Sequence, residues 1–196
     1  DSLRSEALGF LGIAEAATHT EMQYRYAATL KQYVEKGVEL GLLSPHLLEY
    51  DLNMLGEALE ADRDQQFTYL GLQTLYDRYF IHSEGVRFEL PQVFFMRVAM
   101  GLASNEENRE KRAIEFYNLI SSFDYMVSTP QLFNSGTLRP QLSSCFLTTV
   151  PDDLHGIYSA IRDNAMLSKW AGGLGNDWTP VRALGAHIKG TNGKSQ

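Results

Sequence analysis

The stretch from Ser128 to Cys145 reads S-T-P-Q-L-F-N-S-G-T-L-R-P-Q-L-S-S-C and holds the chain's single cysteine. Pro, Gly, Asn and Ser dominate as far as Pro140, so turns are expected there. The apolar run Cys145-Phe146-Leu147-Thr148-Thr149-Val150 follows and predicts a strand over 143–150. Pro151-Asp152-Asp153 then offers a helix cap, with Leu154, Ile157, Ile161 and Ala165 as the expected inner face. Gly172-Gly173 should end that helix, and Asp177 to Ala183 reads as a second strand. The result is a β-α-β pattern, whose strands are parallel by the length of the crossover.

Upstream the texture is helical. Residues 1–20 are Ala-rich, a short helix or a linker. Tyr26, Leu30, Tyr33, Val34 and Val38 form one face of a helix over 21–43, stopped by Ser44-Pro45. His46 to Leu59 predicts a second helix, and Phe67, Leu70, Leu75 and Tyr79 a third. Tyr79 to His82 and Val86 to Glu89, joined by Ser83-Glu84-Gly85, read as a hairpin. Pro91 opens a mostly apolar helix through Ala103, expected to be buried. Asn105 to Arg112 is a polar break before an amphipathic helix on Ala113, Phe116, Ile120 and Phe123. The division expected is a helical domain over 1–125 and the start of an α/β unit over 126–196.

The totals exclude several classes. With 196 residues, 44% of them hydrophobic, the chain can bury a real core. A formal charge of −7 argues against a general nucleic-acid binder. No apolar run approaches the ~20 residues that span a bilayer, and the N-terminus lacks a signal-peptide plan, so the cytoplasm is the default. One cysteine cannot form an internal disulfide. The five histidines show no HxxH or HxxxH spacing, so no metal site is expected. Glu57, Glu60, Asp62 and Asp64 read as a solvated surface. Gly172-Gly173-Leu174-Gly175 lacks the last glycine of G-x-G-x-x-G, where Trp178 stands, so a dinucleotide fingerprint is rejected. A two-stranded parallel sheet has raw edges and little core, so further strands are expected from another chain or from a longer polypeptide.

On the residues alone, Cys145 is a small buried hydrophobe or a thiol beside a pocket. Thr129-Pro130 is an ordinary turn, and Gly173 a flexible strand entry. The order T-P-x-L-F-N-x-G-T, then Q-L-S-S-C, then the Gly-rich stretch and Lys189-Gly190-Thr191-Asn192-Gly193 resembles the large (alpha) subunit of class I ribonucleotide reductase. That resemblance implies a helical N-terminal domain followed by the first strands of a ten-stranded α/β barrel, incomplete in this chain, of mixed α+β and α/β class. It implies reduction of ribonucleoside diphosphates to 2′-deoxyribonucleoside diphosphates by thiol and radical chemistry. Cys145 would be the reductant, with Thr129 at the substrate diphosphate and Ser144 and Gly173 against the substrate. Asp152, Asp153, Leu154, Arg182, Ile188 and Lys189 would hold a deoxynucleoside triphosphate or ATP effector, Asp152 on the sugar and Arg182 and Lys189 on the phosphates. Gln131 departs from the usual Thr of the motif and is given no ligand role. No cofactor is expected in this chain. The implied partners are a metal-containing radical-generating beta subunit, the remainder of the alpha subunit and a second copy in a homodimer. No upstream ATP-cone is visible. The rival readings are a catalytically silent nucleotide-binding module and a helical interaction domain that needs a complementary chain.

Overall fold

The computed structural model describes residues 2–13, 18–169 and 172–195. The Ala-rich stretch 14–17, inside the helix or linker expected at the N-terminus, and Ala171 lie outside the described residues. The chain divides into two compact units, 1–142 and 143–196.

The first unit is helical. Helix α1 (Ser2–Phe10) precedes α2 (His19–Glu39), whose start is fixed by a reciprocal cap. The Glu21 amide donates to Thr18 Oγ1 at 3.2 Å, and the Thr18 amide to Glu21 Oε2 at 3.0 Å. Tyr26, Leu30, Tyr33 and Val34 are fully buried, as their spacing predicts. Gly41 ends this helix at φ +67°, its amide donating to the Val38 carbonyl. Ser44-Pro45 does not stop it but opens a separate 3₁₀ turn, Pro45–Glu49. The second expected helix is therefore split. Its remainder is α3 (Leu52–Glu57), started by Asp51, whose Oδ1 accepts from the Met54 amide. The third becomes α4 (Tyr69–Thr74), widening into one π-turn over Leu75–Tyr79. Strands β1 (His82–Ser83) and β2 (Val86–Arg87) form a hairpin shorter than the one expected, Tyr79 belonging to the π-turn and Ser83 to β1, with Glu84 and Gly85 both at positive φ.

Helix α5 (Pro91–Leu102) lies in the core, with residues 91–100 all buried. Helix α6 (Arg109–Ser121) packs on it through Ala113, Tyr117 and Ile120, while Phe123 falls beyond the helix end. The segment expected to be all turns contains α7 (Thr129–Asn134). Its pairing with α5 carries the first unit to Leu142, past the boundary expected at residue 125.

That pairing rests on two charges. Arg97 and Glu89 are both 0% exposed, and Arg97 Nε meets Glu89 Oε1 at 2.6 Å. Arg97 Nη1 and Nη2 donate to the carbonyls of Ser135 (2.7 Å) and Leu132 (3.1 Å) at the end of α7. Glu89 accepts from the Tyr33 hydroxyl at 2.5 Å and from the Ile81 amide at 2.7 Å. Burial opposes the Arg97 charge, but Glu89 and Tyr33 outweigh it and raise the Arg97 pKa above its ordinary value. Burial, reinforced by the Glu89 charge, drives Tyr33 well above the ordinary phenol range. A second set runs through Asp64, expected as solvated surface. Its carboxylate accepts from Tyr26 (2.6 Å) and Gln92 (2.8 Å), because the turn over Ala61–Gln66 folds it back onto α2 and α5.

The second unit is β3 (Cys145–Thr149), α8 (Leu154–Lys169) and β4 (Gly173–Asp177), with the strands parallel. The β-α-β order stands, but the second strand is the Gly-rich stretch itself and not Asp177 to Ala183. Pairing and close backbone approach override glycine's weak strand preference here. The covered stripe of α8 is Ile157, Ala160, Asn164 and Leu167, whereas Leu154, Ile161 and Ala165 are exposed.

Replacing Arg97 by Met leaves Glu89 buried without its partner. Arg97→Met should lower stability by about 3–5 kcal/mol in urea unfolding. A loss below about 1 kcal/mol, the size of an exposed pair, would contradict this placement.

Candidate functional site

Cys145 begins β3 and is exposed. Alternation along the strand puts Cys145, Leu147 and Thr149 on one exposed face and Phe146 and Thr148 on the other, half-buried face. Leu147 is 88% exposed, so the thiol stands on an apolar open surface. Opposite Cys145 in the register is Gly173, whose amide donates to the Ser144 carbonyl at 2.9 Å. A Cβ on Gly173 would lie 3.0 Å from that carbonyl oxygen and 3.8 Å from Cys145 Sγ. The bare glycine therefore keeps the flank of the sulfur open. Ser144, Cys145 and Gly173, three residues singled out in the sequence, are brought together.

Just past β3, Asp152 is gripped by Arg182. Arg182 Nε lies 2.9 Å and 3.0 Å from the two carboxylate oxygens, its amide donates to Oδ1 at 3.1 Å, and Nη2 donates to the Asp152 carbonyl at 3.2 Å. These bonds hold the Asp152 carboxyl below the usual carboxylate range. The resemblance implies separate tasks for the two residues; the structure joins them. Asp153 caps α8, accepting from the Gly156 amide at 2.8 Å, and Leu154 opens the helix with its side chain exposed.

The segment after Arg182 is a small folded excursion. Gly185 and Ala186 exchange backbone bonds with Ser195, and the Ile188 amide donates to the Gly193 carbonyl at 2.9 Å. Ile188 and Lys189 stand at its tip, and both are exposed. Arg182 Nη1 reaches the His187 carbonyl at 3.3 Å, so one side chain ties Asp152 to this loop.

In the first unit, Thr129 is the first residue of α7 and is exposed. Gln131 is a cap: its Oε1 accepts from the Ser128 amide (2.9 Å) and hydroxyl (3.1 Å). Pattern reading missed that cap, although S-x-x-Q before a short apolar run signals it. Arg97 and Glu89 were missed as well. An arginine inside an apolar helix, eight residues after a glutamate, was the available signal, since buried charges come paired. Among the described residues no group of three or more His, Cys, Asp or Glu side chains could hold a metal ion, and no helix is long and apolar enough to cross a membrane.

Two family models match the chain. The all-alpha domain of ribonucleotide reductase covers residues 65–140, and its barrel domain covers 143–196. The ribonucleoside-diphosphate reductase subunit alpha of Chlamydia trachomatis is 53% identical over all 196 residues, which are 18% of that relative. That of Chlamydia pneumoniae is 61% identical over 167 residues, 85% of this chain and 16% of the relative. The large chain of Schizosaccharomyces pombe is 43% identical over 152 residues, 74% of this chain and 18% of the relative. The chain thus spans about a fifth of the length of the curated relatives it matches.

Two outcomes are expected. Gly173→Val should slow modification of Cys145 by a bulky thiol reagent about tenfold, equivalent to about 1.4 kcal/mol of added barrier; an unchanged rate would mean that the strand edge does not control access. The lowered pKa of Asp152 makes its contribution present above the ordinary Asp value of about 3.9 and lost as pH falls through the depressed value. A carboxyl NMR titration should place the Asp152 midpoint below about 3.9 and return it toward that value in Arg182→Met.

Proposed function

The chain belongs to the ribonucleotide reductase large-subunit family, and from that premise we propose that it supplies part of the machinery reducing ribonucleoside diphosphates to 2′-deoxyribonucleoside diphosphates. The observation that carries this reading is Cys145, exposed on the open face of β3 with Gly173 leaving its sulfur unobstructed.

The chemistry is balanced by two thiols. The ribose C2′–O bond breaks, a C2′–H bond forms and water leaves. The two electrons come from Cys145 and a second cysteine of the intact subunit, which close an S–S bond. Radical initiation is assigned to a metal-containing partner subunit. Ser144 and Gly173 contact the substrate, and Thr129 binds its diphosphate. Asp152, Asp153, Leu154, Arg182, Ile188 and Lys189 form the effector region, which reads a deoxynucleoside triphosphate or ATP. In it Arg182 holds Asp152 as an ionised acceptor for a sugar hydroxyl, and exposed Lys189 meets phosphate. The intact subunit acts as a homodimer in the cytoplasm. No specific observation favours the silent nucleotide-binding module or the helical interaction domain.

Cys145→Ser tests this in the enzyme assembled from the intact large subunit and its radical-generating partner. Turnover of ribonucleoside diphosphate should be abolished while effector binding, read by calorimetry, is unchanged. Turnover within about threefold of the parent, less than 0.7 kcal/mol of barrier, would remove Cys145 from the reaction.

A further inference from the structure

The π-turn Leu75–Tyr79 ends on a tyrosine with no role so far. The Tyr79 hydroxyl lies 3.4 Å from Thr129 Oγ1, a contact between two distant parts of the first unit. The ring is held firmly. It stacks on Phe133 of α7 at 4.7 Å and 22°, and meets Phe94 of α5 edge-on at 6.5 Å. The wide turn is closed by the Phe80 amide donating to the Leu75 carbonyl at 2.9 Å. Such turns insert one extra residue and re-aim a side chain, and they recur at functional sites. Here the turn aims a phenol at the one hydroxyl of α7 that faces solvent.

We propose that Tyr79 is a positioning residue that orients the Thr129 hydroxyl toward a phosphate of the substrate. This rests on the diphosphate role given to Thr129 above. Phosphate oxygens only accept hydrogen bonds, so Thr129 must donate to them. Its own oxygen is then left to accept, and the Tyr79 O–H is the donor placed to satisfy it. A hydroxyl that is accepting donates more strongly, so the two bonds reinforce each other. Without Tyr79 the Thr129 proton has no fixed direction.

The test is a double-mutant cycle in the assembled enzyme, with Tyr79→Phe, Thr129→Val and both, measured on a ribonucleoside diphosphate. Tyr79→Phe keeps the ring and its packing, so the melting temperature should match the parent. Its KM should rise about threefold to tenfold, the effect of one ordinary hydrogen bond, with kcat nearly unchanged. In the Thr129→Val background the same change should have no further effect on KM. If Thr129→Val raises KM but Tyr79→Phe does not, Tyr79 has no positioning role while the diphosphate role of Thr129 survives. If the two effects are independent, Tyr79 does not act through Thr129 and the proposal fails. If Thr129→Val leaves KM unchanged, the diphosphate assignment falls and the proposal with it.

Discussion

The helical unit depends on the burial of Arg97 against Glu89. Two opposite charges taken fully out of water are tolerated only when every remaining donor and acceptor is met. Here the guanidinium spends its other N–H groups on the carbonyls of Leu132 and Ser135, and the carboxylate takes the Tyr33 hydroxyl and the Ile81 amide. Four segments of the chain, the α2 helix, the turn into the hairpin, α5 and the end of α7, are therefore fixed to one point. Apolar packing alone is non-directional and would allow α7 to slide on α5. The ion pair gives that contact a single register, and with it a defined position for Thr129 at the other end of α7.

The second unit places its chemistry by a different rule. Period-2 alternation along a short strand sorts five residues into a covered pair and an exposed trio. Cys145 falls among the exposed three because it starts the strand in phase with Leu147 and Thr149. The neighbouring strand puts a glycine, Gly173, opposite the thiol. The same unit folds Arg182 back onto Asp152, so the loop that follows is anchored by its first residue and closed by backbone bonds near its last.

Much of this was legible in the sequence. The α2 stripe, the hairpin, the buried α5 and the β-α-β order all follow from spacing and breakers, and Ser144, Cys145 and Gly173 do meet. What escaped has physical reasons. Gly41 stops a helix through a positive φ and Asp51 starts one through its side-chain cap, neither of which apolar periodicity registers. The strand at Gly173 to Asp177 contradicts glycine's average preference, since its partner strand and not its own side chains define it. The inner face of α8 was misjudged because Leu154 and Ile161 are apolar yet exposed, while Asn164 is turned inward and bonds Asn176 at 3.1 Å. Asp64 looked like surface because its partners Tyr26 and Gln92 are remote in sequence. Burial of polar groups is decided by partners, which a one-dimensional pattern cannot supply.

The most direct measurement is the redox state of Cys145 after one turnover. The intact, fully reduced large subunit would be mixed with its radical-generating partner and a ribonucleoside diphosphate, with no external reductant. Peptide mass spectrometry would then follow the peptide containing Cys145. Cys145 is expected in a disulfide with a cysteine outside this stretch, in step with deoxynucleotide formed. Deoxynucleotide formed while Cys145 remains a free thiol would contradict it.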